Sequence, residues 1–169
     1  INKLLGISTS QKQSITEEEL KLILHQSSEA GVLDQDESEM LKDVFRFSDK
    51  RANELMTSRP DIVVLHTNDS KATVFKTIGE SNFSKYLLVD QNKDSIVGVV
   101  SVKDIFLMQS KSDADFDLRS IAQPALYIPE SLPANKVLEL FKQNKKKFGV
   151  VVNEYGYTEG IVTLHDLSE

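Results

Sequence analysis

The chain has 169 residues, 40% hydrophobic and 27% charged, which allows one unit or two small lobes with a substantial core, since roughly 150 residues bury about 70% of their unfolded surface. It has no cysteine, which excludes disulfides, thiolate nucleophiles and cysteine-based zinc sites and is compatible with a reducing compartment. The net charge of −6 argues against nucleic acid as a partner, because backbone binding relies on Lys and Arg to displace counterions.

No apolar run approaches the roughly 20 residues of a spanning helix, and the opening INKLLGI lacks the basic start and long apolar run of a signal peptide. A soluble fragment is expected, and a chain opening on Ile1 is expected to be cut from something longer. The first elements are predicted helices. Thr16 with Glu19 fits a capping box, Leu20, Ile23 and Leu24 form an apolar stripe, and Gly31 is a stop. Asp34 and Glu37 resemble a second start, after which Met40, Leu41, Val44 and Phe45 mark one apolar face and leave Glu39, Lys42 and Asp43 toward solvent. This acidic arm is predicted to end near Arg46 to Asp49.

Short apolar runs then alternate with helical patterns. Strands are predicted at Ile62 to Leu65, Tyr86 to Val89 and Ile96 to Val100, with a helix carrying Val74, Phe75 and Ile78 between the first two. The order recurs as strands at Leu126 to Ile128, Phe148 to Val152 and Gly160 to Val162, around a helix carrying Val137, Leu138, Leu140 and Phe141. Each copy ends on the pattern G-x-V-[S/T]-x-x-D-[I/L], at Gly98 to Ile105 and Gly160 to Leu167, after turns at Gln91 to Ser95 and Glu154 to Thr158. Two copies fit a pseudo-twofold pair better than a solenoid.

From Met56 onward the sequence resembles the CBS domain, a β-α-β-β-α unit whose pairs pack into a Bateman module. The phrases GVLDQDESEMLKDVFRFSDKRANELMTSRPDIVVL and VVNEYGYTEGIVTLHDL are similar to the CorC/HlyC branch, related to the CNNM magnesium transport mediators. The resemblance implies an α+β fold, with a helical linker arm at 1–54 following a membrane domain, a first CBS domain at 55–117 and a second at 118–169. It further implies a cytoplasmic part of an inner-membrane protein, without catalytic activity, that forms homodimers through its CBS pairs. Such a module would bind an adenine nucleotide, ATP or AMP, with or without Mg, and control divalent cation (magnesium/cobalt) efflux. The alternative is a ligand-free dimerisation scaffold of the same membrane protein.

Ser101 with Asp104, and Thr163 with Asp166, each place a hydroxyl and a carboxylate where a strand passes into a helix. Asp can accept hydrogen bonds from both ribose hydroxyls, while Ser or Thr and the helix N–H groups meet phosphate oxygens. The alternative is plain helix capping. In the CNNM-like relatives the resemblance implies that ATP sits mainly in one cleft, which maps here onto Thr163, Asp166, Phe83 and Lys85. There Phe83 would stack on adenine, Lys85 meet a phosphate and Ile161 line the base pocket. Lys85 replaces an Arg common at that point, and His165 stands where relatives often have Glu. Thr57 to Asp61 borders the same cleft, where Thr57 and Arg59 could reach a ribose or phosphate; the alternative is that Pro60 ends a short helix and Arg59 is solvated.

Other features read as structural. His25, His66 and His165 show no metal-ligand spacing. Asp34, Asp36 and Ser38 lack the Gly and twelfth-position Glu of a calcium loop, Lys145 to Lys147 read as solvated loop charges in preference to a phosphate contact, and Gly149, Gly156 and Gly160 do not make a dinucleotide loop. No G-x-S-x-G motif is present.

Overall fold

The computed structural model describes residues 17–31 and 34–168, in two units, Ile1–Ser48 and Asp49–Glu169. In the first unit, α1 spans Glu17–Glu29 and α2 spans Gln35–Asp49. Gly31 has φ of +78°, the left-handed conformation in which glycine ends a helix without strain. Asp34 caps α2, its carboxylate accepting from Glu37 N–H at 2.8 Å. Thr16 and the side chains of Leu24, Val44, Phe45, Lys42 and Asp43 lie outside the described residues. The apolar faces can be followed only where they are described, with Leu41 half-buried and Glu39 exposed as expected. Leu20 and Ile23 are exposed and Met40 is 68% exposed, whereas Ser38 is buried. Periodicity marks a face but does not supply the surface that covers it.

The second unit begins with α3 (Ala52–Leu55), β1 (Thr57–Ser58) and a 3₁₀ turn at Arg59–Asp61. Pro60 therefore does not end a helix. It sits at the start of the 3₁₀ turn, where its fixed φ is already suitable and its missing N–H is not needed. Ile62 closes that turn on the Arg59 carbonyl, so the strand expected from Ile62 starts only at Val64.

The first repeat then follows as β2 (Val64–His66), α4 (Lys71–Ser81), β3 (Lys85–Val89), β4 (Ile96–Ser101) and α5 (Val102–Leu107). After a 3₁₀ turn at Leu118–Ile121, the second repeat is β5 (Leu126–Pro129), α6 (Ala134–Asn144), β6 (Phe148–Val152), β7 (Thr158–Thr163) and α7 (Leu164–Ser168). In both copies the first two strands are parallel and the last two form an antiparallel hairpin. The duplicated β-α-β-β-α order expected from the sequence is present. Asn82 and Lys145, at φ of 57° and 53°, end the long helix of each copy.

One sheet has the order β2-β3-β4 and the other β1-β7-β6-β5. The edge strand of the second sheet thus comes from before the first repeat, with Thr57 opposite Ile161 and Ser58 opposite Gly160. In mirror fashion Gln123, just before the second repeat, bridges Val99 in β4. Side-chain alternation explains where the core lies. Tyr86 and Leu88 of β3 face a cluster with Leu65, Val74, Ile78, Val100 and Ile105. Leu87 and Val89, on the other face, join Phe148 and Val150 of β6 between the sheets. Burial on both faces is why β3 reads as a continuous apolar run rather than an alternating one.

Candidate functional site

Matched backbone contacts align the two strand-to-helix corners. Lys85 lies opposite Ser101, and Phe148 opposite Thr163. Val102 N–H donates to the Ser84 carbonyl, and Leu164 N–H to the Lys147 carbonyl, both at 2.9 Å. The segment Phe83-Ser84-Lys85 of one copy therefore corresponds to Lys146-Lys147-Phe148 of the other.

A cleft of about 640 Å³ gathers Thr57, Phe83, Lys85, Ile161, Thr163 and Asp166, within the roughly 300–1,000 Å³ of small-molecule sites. These six predicted residues come from both repeats and from the swapped strand β1. Thr163 and Asp166 form a reciprocal box: Thr163 N–H donates to Asp166 Oδ2 at 2.8 Å, and Asp166 N–H to Thr163 Oγ1 at 3.3 Å. The box fixes both groups at the rim, and the carboxylate keeps further acceptor capacity. Phe83 is 55% exposed, packs edge-on against Tyr86 with ring centroids 5.9 Å apart, and donates its N–H to the Tyr86 hydroxyl oxygen at 3.1 Å. Its ring is held by Tyr86 and remains exposed.

Ser101 and Asp104 line a second, smaller cleft of about 170 Å³. Ser101 Oγ accepts from Asp104 N–H at 3.2 Å, so both repeated hydroxyls also cap their helices. Lys85, Lys147 and Phe148 line both clefts, and Lys146 only the smaller. The sequence reading, which weighs Lys145 to Lys147 as solvated loop charges or a phosphate contact, assigns them to no cleft; Lys145 and Lys147 are exposed, and Lys147 borders both clefts. The available signal was the repeat itself, which aligns Lys147 with Ser84, one residue before a strand that opens onto the clefts. Asp61, Asn82 and His165 also line the larger cleft.

Arg59 lines neither cleft. Its Nη1 donates to Asp94 Oδ1 at 2.6 Å and to the Thr158 carbonyl at 3.0 Å, while Asp94 also accepts from Thr158 N–H at 2.9 Å. The Arg59 hydrogen bond, then that from Thr158, holds the Asp94 carboxyl below its ordinary value, and Asp94 in turn raises Arg59. Arg59 ties the 3₁₀ turn to the first hairpin and to β7.

The CBS domain family profile matches residues 52–110 and 117–169. The chain is a tandem pair of CBS domains. This CBS pair is similar to a structure of the CBS domain of the bacterial CNNM/CorC family Mg²⁺ transporter, 30% identical over 92% of this chain and 94% of that one, with a TM-score of 0.80. It therefore belongs to the CNNM/CorC branch. A structure of such a domain in complex with ATP is 27% identical over 79% of this chain and 95% of that one, with a TM-score of 0.73. Among curated relatives, the magnesium and cobalt efflux protein CorC of Pasteurella multocida is 29% identical over 90% of the chain and 51% of its own length. A polyamine export protein of Haemophilus influenzae is 31% identical over 98% of the chain and 38% of its own length. The CBS pair thus spans about half or less of these relatives. Among its described residues, no helix is long and apolar enough to cross a membrane.

Proposed function

We propose that this CBS pair is a non-catalytic regulatory module that binds an adenine nucleotide, foremost ATP with Mg²⁺, in the larger cleft. The observation that carries this reading is the convergence of Phe83 and Lys85 from one repeat on Thr163 and Asp166 from the other. The exposed Phe83 ring would stack on the base, Asp166 would accept from the ribose hydroxyls, and Lys85 with Lys147 would meet phosphate oxygens. The donor set suits the metal as well, because Mg²⁺ retains waters and uses one or two carboxylates beside phosphates, and Asp61 and Asp166 both line the cleft. The likeness to a domain solved with ATP supports the choice of nucleotide. The module acts on the cytoplasmic side of a membrane-embedded efflux protein, as a homodimer. Magnesium or cobalt is the cargo suggested by the CorC relative. A ligand can regulate such a protein only through unequal affinity for its two arrangements.

Isothermal titration of the chain with ATP and Mg²⁺ tests the reading, alongside Phe83→Ala and Asp166→Ala. Phe83→Ala leaves the capping box intact and is expected to weaken binding by about tenfold, the loss of one base–aromatic stack. A thermal-shift series with AMP, ADP and ATP ranks the nucleotides, with about 2.7 kcal/mol of stabilisation expected at a hundredfold excess over Kd. Negligible heats for all three nucleotides would sink the proposal. One observation favours the ligand-free scaffold instead: Ser101 and Thr163 accept from N–H groups of their own helices, a capping role that requires no ligand. A flat thermal screen combined with a dimer by light scattering would support it.

A further inference from the structure

The two clefts are related by the repeat but opposed in chemistry. Where Phe83 lines the larger cleft, its counterpart Lys146 lines the smaller, whereas Lys85 and its counterpart Phe148 line both. Phe148 is buried in the core between the sheets, so it offers no open face for a base to stack on. The larger lining sets Lys85 and Lys147 against Asp61 and Asp166. The smaller sets Lys85, Lys146 and Lys147 against Asp104 alone. Among the described residues, none of the three lysines enters an ion pair. The space they line, about 170 Å³, is well under the roughly 300 Å³ at which small-molecule sites begin.

We infer that the smaller cleft is an oxyanion site of the phosphate class and not a second nucleoside site. A lining of three lysines and one aspartate suits a compact multiply charged anion, whose oxygens can take charge-assisted hydrogen bonds from each lysine. A nucleoside finds there neither the volume nor the stacking face. The phosphate can have two sources, because Lys85 and Lys147 also line the larger cleft: free inorganic phosphate, or the terminal phosphates of a nucleotide seated next door. A free anion would share two cations with that nucleotide, so each would weaken the other's binding by the same factor. The site itself stands on charge and size; the nucleotide source and this coupling rest on the nucleotide reading.

Inorganic phosphate, ATP and adenosine are titrated at fixed ionic strength into the full chain, into Lys146→Glu and into Lys142→Glu. Lys142 lies on α6 outside both linings, so it controls for net charge, and Lys146→Ala provides a milder change; circular dichroism checks that each variant is folded. If the source is free phosphate, it binds the parent chain and weakens about tenfold or more in Lys146→Glu, the loss of a hydrogen bond to a charged group, while Lys142→Glu is unchanged. If the source is the nucleotide tail, phosphate alone does not bind, ATP weakens by that factor in Lys146→Glu alone, and adenosine is unaffected. The inference is overturned if neither phosphate nor ATP distinguishes Lys146→Glu from Lys142→Glu. Absence of ATP binding to the parent chain would count against the nucleotide reading, and the phosphate arm would still decide this one.

Discussion

Arg59 and Asp94 meet at 2.6 Å with Thr158 completing the cluster, and this pair carries a pH dependence whose sign is fixed. Asp94 is held below its ordinary 3.8, chiefly by the Arg59 hydrogen bond. A carboxyl depressed in the folded state contributes stability above its unfolded value and loses it as pH falls through the folded one. Asp90 behaves likewise, lowered first by Thr67 and then by Arg119. The Asp94 side chain is 32% exposed and that of Asp90 47%, so solvent screens both, and the effect is modest and weakened by salt. Urea midpoints measured between about pH 6 and pH 2 are expected to fall more steeply for the parent chain than for Asp94→Asn, with the two curves converging in acid. Parallel curves would show that the pair does not contribute. The sequence marked Arg59 as a residue near the cleft, but its partner is on a distant hairpin, and spacing along the chain cannot reveal that.

Among the elements, the repeated glycines show how a motif can be legible without its cause. Gly98 and Gly160 begin the two G-x-V-[S/T]-x-x-D patterns, which on sequence grounds announce a duplicated strand. In the structure a Cβ at Gly98 would collide with the Gln123 carbonyl oxygen, and one at Gly160 with the Thr57 carbonyl oxygen and the Met56 side chain. Each glycine admits the swapped backbone that enters beside its strand. Gly98→Ala and Gly160→Ala are each expected to cost about 1–3 kcal/mol in urea unfolding, because a backbone carbonyl cannot swing aside as a flexible side chain can. Gly79, inside α4 with nothing within 4 Å of its added Cβ, supplies the control. Gly79→Ala should stabilise by about 0.5–1 kcal/mol through helix propensity. A neutral outcome at Gly98 and Gly160 would mean that the edge strands can move away.

At the scale of the whole CBS pair, the repeats in the sequence are not the units that fold. The second sheet needs β1, and α3 hydrogen-bonds to the second repeat through Ala52 N–H to the Leu132 carbonyl at 2.9 Å and Asn53 N–H to the Glu130 carbonyl at 3.0 Å. Leu87 and Val89 of one repeat are buried against Phe148 and Val150 of the other. Residues 49–169 are therefore expected to melt in one cooperative transition, and a fragment beginning near residue 114 to show none, as followed by circular dichroism. A cooperative melt of that fragment at the parent temperature would refute this interdependence. The sequence by itself determined the duplicated β-α-β-β-α order, the hairpins and the candidate residues at each strand end, because hydrophobic period, turn chemistry and helix caps are local properties. Tertiary structure alone decided that strand β1 crosses to the other repeat's sheet, that Arg59 turns to Asp94, and that Lys147 belongs to both clefts. Each of those depends on packing between segments far apart in the chain, and no local pattern encodes which surfaces meet.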